Sequence, residues 1–434
     1  MTRSSSCRAA LRAAAAALMA IGLALPSPAH AEEPACEGGQ PLGQGACLTA
    51  VGTFDALAVA RGGLRRGEAA IGQLRLALAL DLEAVAGLEG WRAQASGFAI
   101  AGRQLTPTRL GSLAPASNIE ATPTVRLFEL WLERSVEGVG SLRFGQLAAD
   151  AEFAGADAAA GLVNATFGWP VALAAALPSG GPAYPLASPG VRLALGDPAA
   201  ATGLRLGLFS GDPGGRYGAA TDPQRHNRYG TNFSTTGGAF MIAEAVTGGA
   251  SESGLRPWLL RIGGWYHTGG FDAQRPDAEG NARRYGNNHG GYATAEATLL
   301  RDGAQTLAIF ARGFAQPGDR NLVALQIDAG LAWRGPFRRD ADTFSLGISQ
   351  ARVGRQARAA DRDRAAGGEA RPVRSHEMVV EVNYDFAIEP GHLAIRPILQ
   401  WIRNPGAGEP DERAEAGRRL RNALVLGMRL VATY

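Results

Sequence analysis

Hydrophobic and polar residues alternate along many segments of this chain, most clearly at its C-terminal end. From Leu424 to Tyr434 every second residue is apolar or aromatic, and Gly427, Arg429 and Thr433 lie between them. A period of two places the apolar side chains on one face of a β-strand and the polar ones on the other. The segment therefore predicts a strand with an apolar face, a polar face and a terminal aromatic residue.

The same alternation recurs through the chain. Residues 74–82 carry five leucines at a strict spacing of two, which would surround a helix rather than line one side of it. Several segments reach about ten residues, the length that a tilted strand needs to cross the hydrocarbon layer. The predicted strands, 16 in all, cover 52–60, 72–83, 91–103, 124–135, 139–149, 188–196, 203–211, 237–248, 256–268, 291–301, 304–314, 323–335, 341–353, 374–388, 392–404 and 421–434.

The connections between these segments alternate between long and short, beginning with 61–71 and then 84–90. Unpaired backbone groups in lipid cost several kcal/mol each, so a membrane sheet must close on itself. The pattern therefore predicts an all-β fold, a transmembrane antiparallel β-barrel of about 16 strands with short periplasmic turns and long outer loops. The alternative, an exported soluble β-sandwich, fits less well because strands in globular proteins average five or six residues.

The first 31 residues have the features of a signal peptide. Arg3, Arg8 and Arg12 precede an apolar run that is too short to span a bilayer, and Ala29-His30-Ala31 has the form of a cleavage site. We expect cleavage near Ala31 and export to the outer membrane of a Gram-negative bacterium.

The mature chain is expected to have two parts, a periplasmic N-terminal arm over residues 32–51 and a single β-barrel over 52–434. Cys36 and Cys47 lie at the beginning of the mature chain. In an oxidising periplasm the two are expected to form a small disulfide loop. A metal site is the alternative, but no histidine or further cysteine lies nearby.

Charge and motifs exclude several functional classes. Without the predicted signal peptide the chain has 40 basic and 40 acidic residues, so the basic surplus of a nucleic-acid-binding protein is absent. The sequence contains no lysine, which excludes Walker-A phosphate binding and Schiff-base chemistry. No G-x-S-x-G motif occurs, and His376-Glu377 lacks the second histidine of a zinc site. We therefore expect no enzyme, no cofactor and no metal.

Charges on the predicted strands are expected to face water inside the barrel, because a charge facing lipid near the midplane costs about 2–4 kcal/mol. These residues are Arg75, Asp81, Arg261, Asp328, Glu381, Asp385 and Arg429. Near the longest connection, one strand face carries Glu129, Trp131 and Glu133, and neighbouring inward faces carry Arg143 and Arg192. We expect these five side chains, together with Arg75, to line the narrow part of the interior; the alternative for each charge is an ion pair with a neighbour on the wall.

The longest connection, residues 150–187, is the predicted constriction loop. At 38 residues it exceeds what a connection requires, and loops of this length are commonly functional. Asn164 and Trp169 are candidate residues of the path through the barrel. Trp169 is expected either to stack on a sugar ring or to pack the loop against the wall.

Several segments between the strands resemble one known family. They include Asn164-Ala-Thr-Phe-Gly-Trp-Pro170, Phe209-Ser-Gly-Asp-Pro213 and Gly263-Gly-Trp-Tyr-His-Thr-Gly269. These strings look like those of the carbohydrate-selective porins of the OprB type, and the resemblance runs from about residue 52 to the C-terminus. It implies an outer-membrane barrel for the passive diffusion of sugars, glucose above all, in contact with outer-membrane lipid and with the barrel-assembly machinery during biogenesis. The alternative function is that of a general or ion-selective diffusion porin.

Overall fold

The chain folds into one closed antiparallel β-barrel of 16 strands, which confirms the predicted fold class. The computed structural model describes residue 36 and residues 39–196, 202–215, 222–249, 257–413 and 417–434. The predicted signal peptide, residues 1–31, lies outside the described residues. The barrel strands are β1 (Ala46–Gly63), β2 (Gly67–Asp81), β3 (Trp91–Gly102), β4 (Thr124–Val136), β5 (Gly140–Leu147), β6 (Ser188–Leu195), β7 (Thr202–Ser210), β8 (Ala239–Gly248), β9 (Trp258–His267), β10 (Asn288–Asp302), β11 (Gln305–Ala315), β12 (Val323–Arg334), β13 (Thr343–Val353), β14 (His376–Glu389), β15 (Leu393–Arg403) and β16 (Arg421–Thr433).

The barrel closes between its first and last strands. β16 pairs antiparallel with β1, and the other strands pair in chain order. Ala50 and Tyr434 exchange two backbone hydrogen bonds of 2.9 Å at this seam. Closure leaves no unpaired sheet edge, which is the condition for a β-structure to span a membrane.

In the part of the chain that the structure describes, three short strands lie outside the barrel wall. Gln40–Gly43 pairs with the beginning of β1, and a disulfide joins Cys36 to Cys47 with a Cα–Cα distance of 5.7 Å. Phe271–Asp272 and Arg284–Tyr285 form a small hairpin in the β9–β10 connection.

The connections define two ends of the barrel. At the long-loop end they are 64–66, 103–123, 148–187, 211–238, 268–287, 316–322, 354–375 and 404–420. At the short-turn end they are 82–90, 137–139, 196–201, 249–257, 303–304, 335–342 and 390–392. Long and short connections alternate around most of the barrel, and in outer-membrane barrels the long loops are extracellular.

The first hairpin differs from the prediction. β1 and β2 stay paired up to Val59 and Gly67, so the expected long connection over 61–71 is only 64–66. Gly62 and Gly63 have φ angles of 73° and 59°, which glycine adopts readily and which permit this tight reversal. Residues 61–71 are rich in arginine and lack an apolar face, so their sequence resembled a loop. Strands that extend beyond the hydrocarbon layer can stay paired without an apolar face.

The outer surface is apolar on the faces that alternation predicts. On β16, Leu426, Met428 and Leu430 are exposed, whereas Val425 and Arg429 on the opposite face are buried. Similar rows of exposed leucine, valine and phenylalanine side chains occur on β4, β5 and β7. These rows make the outer face of the barrel apolar.

The interior is not lined by polar residues alone. Residues 148–187, hereafter the inserted loop, fold into the barrel and bury Phe153, Val171 and Leu173 against the inward-facing aromatic residues Phe240 and Phe314. A second apolar cluster joins Leu162 and Phe167 of the loop to β1, β11 and β14–β16. The hydrophobic core of this barrel therefore lies between the inserted loop and the inner wall.

Helical structure is limited to short segments in the connections. Among the described residues, the α-helices are α1 (Leu82–Ala86), α2 (Val171–Ala176), α3 (Pro223–His226) and α4 (Arg355–Ala366). A π-helical turn covers Thr106–Leu110, and three-residue 3₁₀ helices occur in other connections. Within the described parts of the chain, no helix has the length and apolar character needed to cross a membrane.

Candidate solute path

Four charged side chains form a closed ring of ion pairs on the inner wall, hereafter the ion ring: Glu133 of β4, Arg143 of β5, Arg192 of β6 and Glu152 of the inserted loop. Arg143 Nε lies 2.8 Å from Glu133 Oε2, and Arg143 Nη1 lies 2.8 Å from Glu152 Oε1. Arg192 Nη2 bonds to the same Glu133 oxygen, and Arg192 Nε lies 2.8 Å from Glu152 Oε2. Each charge thus has two partners of opposite sign, and the ring has no net formal charge.

Trp131 lies two residues before Glu133 on the same inward face of β4 and contacts the ion ring. The Arg143 Cζ atom lies 3.9 Å from the centroid of the indole ring, and the Trp131 side chain is buried. A guanidinium over an aromatic face is an attractive cation–π contact. This contact holds the Arg143 head group while the two carboxylates fix its direction.

Glu129 and Arg75, both predicted to line the path, have different environments. The buried Glu129 carboxylate accepts a hydrogen bond of 3.2 Å from the Ala148 N–H at the beginning of the inserted loop. Arg75 lies opposite Phe98 on the inward face of β2, and its side chain is exposed. Among the described residues it has no hydrogen bond or ion pair, so its guanidinium can meet a solute.

Asn164 and Trp169 position the inserted loop. Asn164 is fully buried, donates to Gln400 Oε1 at 3.2 Å and accepts a hydrogen bond from the Thr166 N–H. The Trp169 indole N–H donates to the Gly180 carbonyl at 2.9 Å, and the ring packs against the apolar cluster of the loop. The contacts of Trp169 are those expected if it packs the loop against the wall. Asn164 is buried and therefore does not face the open interior.

Wall carboxylates accept hydrogen bonds from the backbone N–H groups of the loops inside the barrel. Glu381 on β14 accepts bonds of 2.7 Å from both Val163 and Asn164. Glu377, also on β14, accepts bonds of 2.8 Å from Leu113 and 2.7 Å from Gly406, and so joins two different loops. Backbone donors removed from bulk water need such partners, and the carboxylates supply them.

Two buried arginines bind loop carbonyl groups in the same way. Arg312 on β11 donates to the carbonyls of Ala154, Thr166 and Gly168 in the inserted loop, at 3.2, 2.9 and 3.1 Å. Arg126 on β4 donates to the carbonyls of Pro185, Gln224 and Arg228, at 3.1, 2.9 and 3.1 Å. The inserted loop is therefore held by side chains from several strands.

These contacts correct part of the sequence prediction. Asp328, Glu381 and Arg429 point inward as expected, but they are buried beneath loops and do not face open water. Glu152, Arg312 and Glu377 were not among the predicted path residues. Strand alternation places Arg312 and Glu377 on the inward face, but their partners belong to loops far away in sequence, so no local pattern reveals these contacts.

Two acidic residues in the loops have perturbed pKa values. Burial raises the pKa of the Glu120 carboxyl to about 7, although hydrogen bonds from the Thr106 N–H and hydroxyl oppose the shift. Burial also raises the pKa of Asp150 to about 7 against a hydrogen bond from the Tyr184 N–H. Each carboxyl group accepts hydrogen bonds from the backbone of its own loop. Glu120 belongs to the 103–123 loop and Asp150 to the inserted loop.

Among the residues that the structure describes, no group of three or more histidine, cysteine, aspartate or glutamate side chains has the geometry of a metal site. The acidic groups of the interior are instead paired with arginines or with backbone N–H groups.

A closed barrel with an apolar outer face, long loops at one end and a loop folded into the lumen defines an outer-membrane porin. A family model described as "Carbohydrate-selective porin, OprB family" matches residues 65–434. The chain belongs to this family. It is a carbohydrate porin of the Gram-negative outer membrane, and its family and fold are those of a channel.

Solved structures agree with the fold. The high-pH structure of OprB from Pseudomonas putida has a TM-score of 0.77 and 21% identity, and the match covers 90% of this chain and 94% of that one. The low-pH structure of the same protein has a TM-score of 0.53 and 16% identity over 90% and 93% of the two chains. An anion-selective porin from Comamonas acidovorans has a TM-score of 0.51 and 10% identity over 90% and 99%. At these identities the structures show a shared fold, and no curated protein sequence matches the chain.

Proposed function

We propose that neutral monosaccharides such as glucose diffuse passively through the barrel interior into the periplasm, along a path whose narrow part is lined by Arg75 and by the ion ring with Trp131. The observation that carries this proposal is the charge balance of the ion ring. Its two arginines and two glutamates offer donors and acceptors side by side without a net field.

This arrangement suits a solute that is polar and uncharged. A sugar hydroxyl both donates and accepts, so it can bond to either kind of side chain. A channel also needs weak contacts at several places, so that a solute can enter and leave. A ring of charges of one sign would instead favour ions.

The remaining features of this proposal concern biogenesis. The signal peptide is cleaved near Ala31, the exposed apolar rows contact outer-membrane lipid, and the barrel-assembly machinery inserts the folded chain. Mass spectrometry of the N-terminus of the mature protein tests the cleavage site, and a mature chain that begins far from Glu32 would contradict it.

Liposome swelling tests the selectivity. Glucose is expected to enter proteoliposomes faster than gluconate, an anion of similar size, and the difference is expected to persist at high salt. Single-channel reversal potentials in a KCl gradient should show only a weak ionic preference. Equal rates for the two solutes, or a strong preference for one ion, would favour the general or ion-selective porin instead.

A further inference from the structure

A cavity lies on the short-turn side of the inserted loop. It has a volume of about 580 Å³, and its walls come from the short-turn ends of β9–β15. The residues that matter here are Asp157 and Gly161 of the inserted loop and Glu296, Ser345, Asp385 and Arg396 of the wall. We name this cavity the lower pocket. It is separate from the ion ring, which lies on β4–β6.

Polar atoms at this wall are buried without a protein partner. Among the described residues, Ser345 Oγ, Asn383 Oδ1, Asp385 Oδ1 and Arg396 Nε have no hydrogen-bond partner. Ser345 and Asn383 lie opposite each other in the β13–β14 register, and both are almost fully buried. Buried polar groups are normally hydrogen-bonded, so these four atoms lack a usual partner, and three of them belong to residues that line the lower pocket.

Gly161 fixes the arrangement of these side chains. Its carbonyl accepts hydrogen bonds of 3.0 Å from Asn383 Nδ2 and 2.8 Å from Arg396 Nη1. A Cβ at this position would lie 2.5 Å from Ser345 Oγ, so the loop and the wall are in close contact there. Arg396 Nη2 also donates to Asp385 Oδ2 at 2.7 Å. The wall is therefore held in place, with one atom of Asp385 and one of Arg396 left unused.

The charges of the lower pocket have both signs. On one side Arg261 bonds to Glu296 and lies 3.4 Å from Asp157, and on the other side Arg396 pairs with Asp385. Arg334 also lines the cavity, is exposed, and has no ion pair or hydrogen bond to any described residue. The three carboxylates Asp157, Glu296 and Asp385 are thus balanced by three arginines, and a neutral polyol finds donors and acceptors on every side.

We propose that the lower pocket is a second binding site for a neutral sugar, on the short-turn side of the inserted loop, where Ser345, Asp385 and Arg396 bond to sugar hydroxyls. The inference rests on the proposed sugar path and adds a site on the wall opposite the ion ring. Both lie near the short-turn ends of their strands, the ion ring on β4–β6 and the lower pocket on β9–β15. Weak contacts at more than one place let a solute bind and still leave.

Sugar-dependent block of the single-channel current tests this site in the full-length mature protein. With glucose as the probe, Ser345→Ala is expected to raise the half-blocking concentration by about threefold, the worth of one neutral hydrogen bond. Asp385→Asn should raise it as well. Since the Ser345 hydroxyl bonds to no described residue, its removal should leave barrel stability and KCl conductance unchanged.

Ser375→Ala is the matched control, because Ser375, immediately before β14, does not line the lower pocket and its hydroxyl, like that of Ser345, bonds to no described residue. Its half-blocking concentration should equal that of the unmodified protein. If glucose blocks the unmodified protein, and Ser345→Ala and Asp385→Asn leave the half-blocking concentration unchanged, the lower pocket is not a sugar site although the proposed function stands. If glucose does not block even the unmodified protein, both the second site and the proposed sugar path are overturned.

Discussion

Arg312 and Asp328 form an ion pair between β11 and β12 in which neither side chain is accessible to solvent. Arg312 Nη2 lies 2.8 Å from Asp328 Oδ2, and the two residues are direct partners in the sheet register. The remaining Arg312 donors bond to three carbonyl groups of the inserted loop. The inserted loop leaves the wall at β5 and returns to it at β6. The ion pair binds the middle of this loop to β11 and β12, on the opposite wall.

Replacement of Arg312 is expected to release the inserted loop. Arg312→Ala leaves the Asp328 charge buried without its partner, which typically costs about 3–5 kcal/mol, and removes three loop contacts. We expect a higher and noisier single-channel conductance and a smaller difference between glucose and gluconate entry.

The matched control for this variant is Arg275→Ala, which breaks an exposed ion pair with Asp363 in the outer loops. It should behave like the unmodified protein. An Arg312→Ala channel with unchanged conductance and selectivity would mean that the loop is held without this arginine.

Opening the ion ring should change the ionic preference of the channel. Glu152→Gln removes one of the two carboxylates that Arg143 and Arg192 share, so the ring gains one net positive charge. We expect the reversal potential in a KCl gradient to shift towards chloride, and the shift to shrink at high salt because salt screens the field that the added charge exerts on ions in the lumen.

The corresponding control is Glu279→Gln, a neutralisation of the same kind in the β9–β10 connection, where Glu279 is exposed. A shift of equal size in this control would show that the charge of the whole protein, and not the ion ring, sets the preference.

The attachment of the 103–123 loop should weaken as the pH rises. Burial raises the pKa of Glu120 to about 7 from the ordinary 4.5, so the folded state binds the proton more tightly than an open loop does. The protonated carboxyl therefore stabilises the closed loop below pH 4.5, and this contribution is lost as the pH rises through about 7.

Hydrogen exchange of the amides in this loop, corrected for the intrinsic rate, measures the effect. Protection should fall between about pH 4.5 and pH 7, the window between the two pKa values, and Glu120→Gln should flatten the dependence. Protection that rises with pH would contradict the assignment.

The seam between β1 and β16 should depend on one ion pair. Arg429 Nε lies 2.7 Å from Asp55 Oδ1, and Arg429 Nη2 donates to Asn118 of the 103–123 loop at 2.7 Å. Removal of one partner of a buried pair costs about 3–5 kcal/mol. Arg429→Ala should therefore lower the temperature at which the folded barrel is lost in gel-shift assays, whereas Arg421→Ala, at an exposed position of the same strand, should have little effect. Equal midpoints for the two variants would show that backbone pairing alone closes the seam.

The residues of the predicted path show where sequence reasoning reached its limit. Glu133, Arg143 and Arg192 lie on neighbouring strands at inward positions, and the structure brings them together, because strand pairing turns alternation directly into proximity. Glu152, the fourth member of their ring, comes from the inserted loop, whose path has no periodic signal. Asn164 and Trp169 were chosen for their chemistry, but the folding of the same loop uses that chemistry for its own hydrogen bonds.

By itself, the sequence determined that this chain forms a closed barrel with an apolar exterior, because water and hydrocarbon on opposite sides of a strand impose a period of two. The number of strands followed from the same rule. Only the tertiary structure decided how the interior is filled. Contacts such as that between Glu381 and Val163 join residues far apart in the chain, and their geometry depends on how a 40-residue connection folds against the wall rather than on any local pattern.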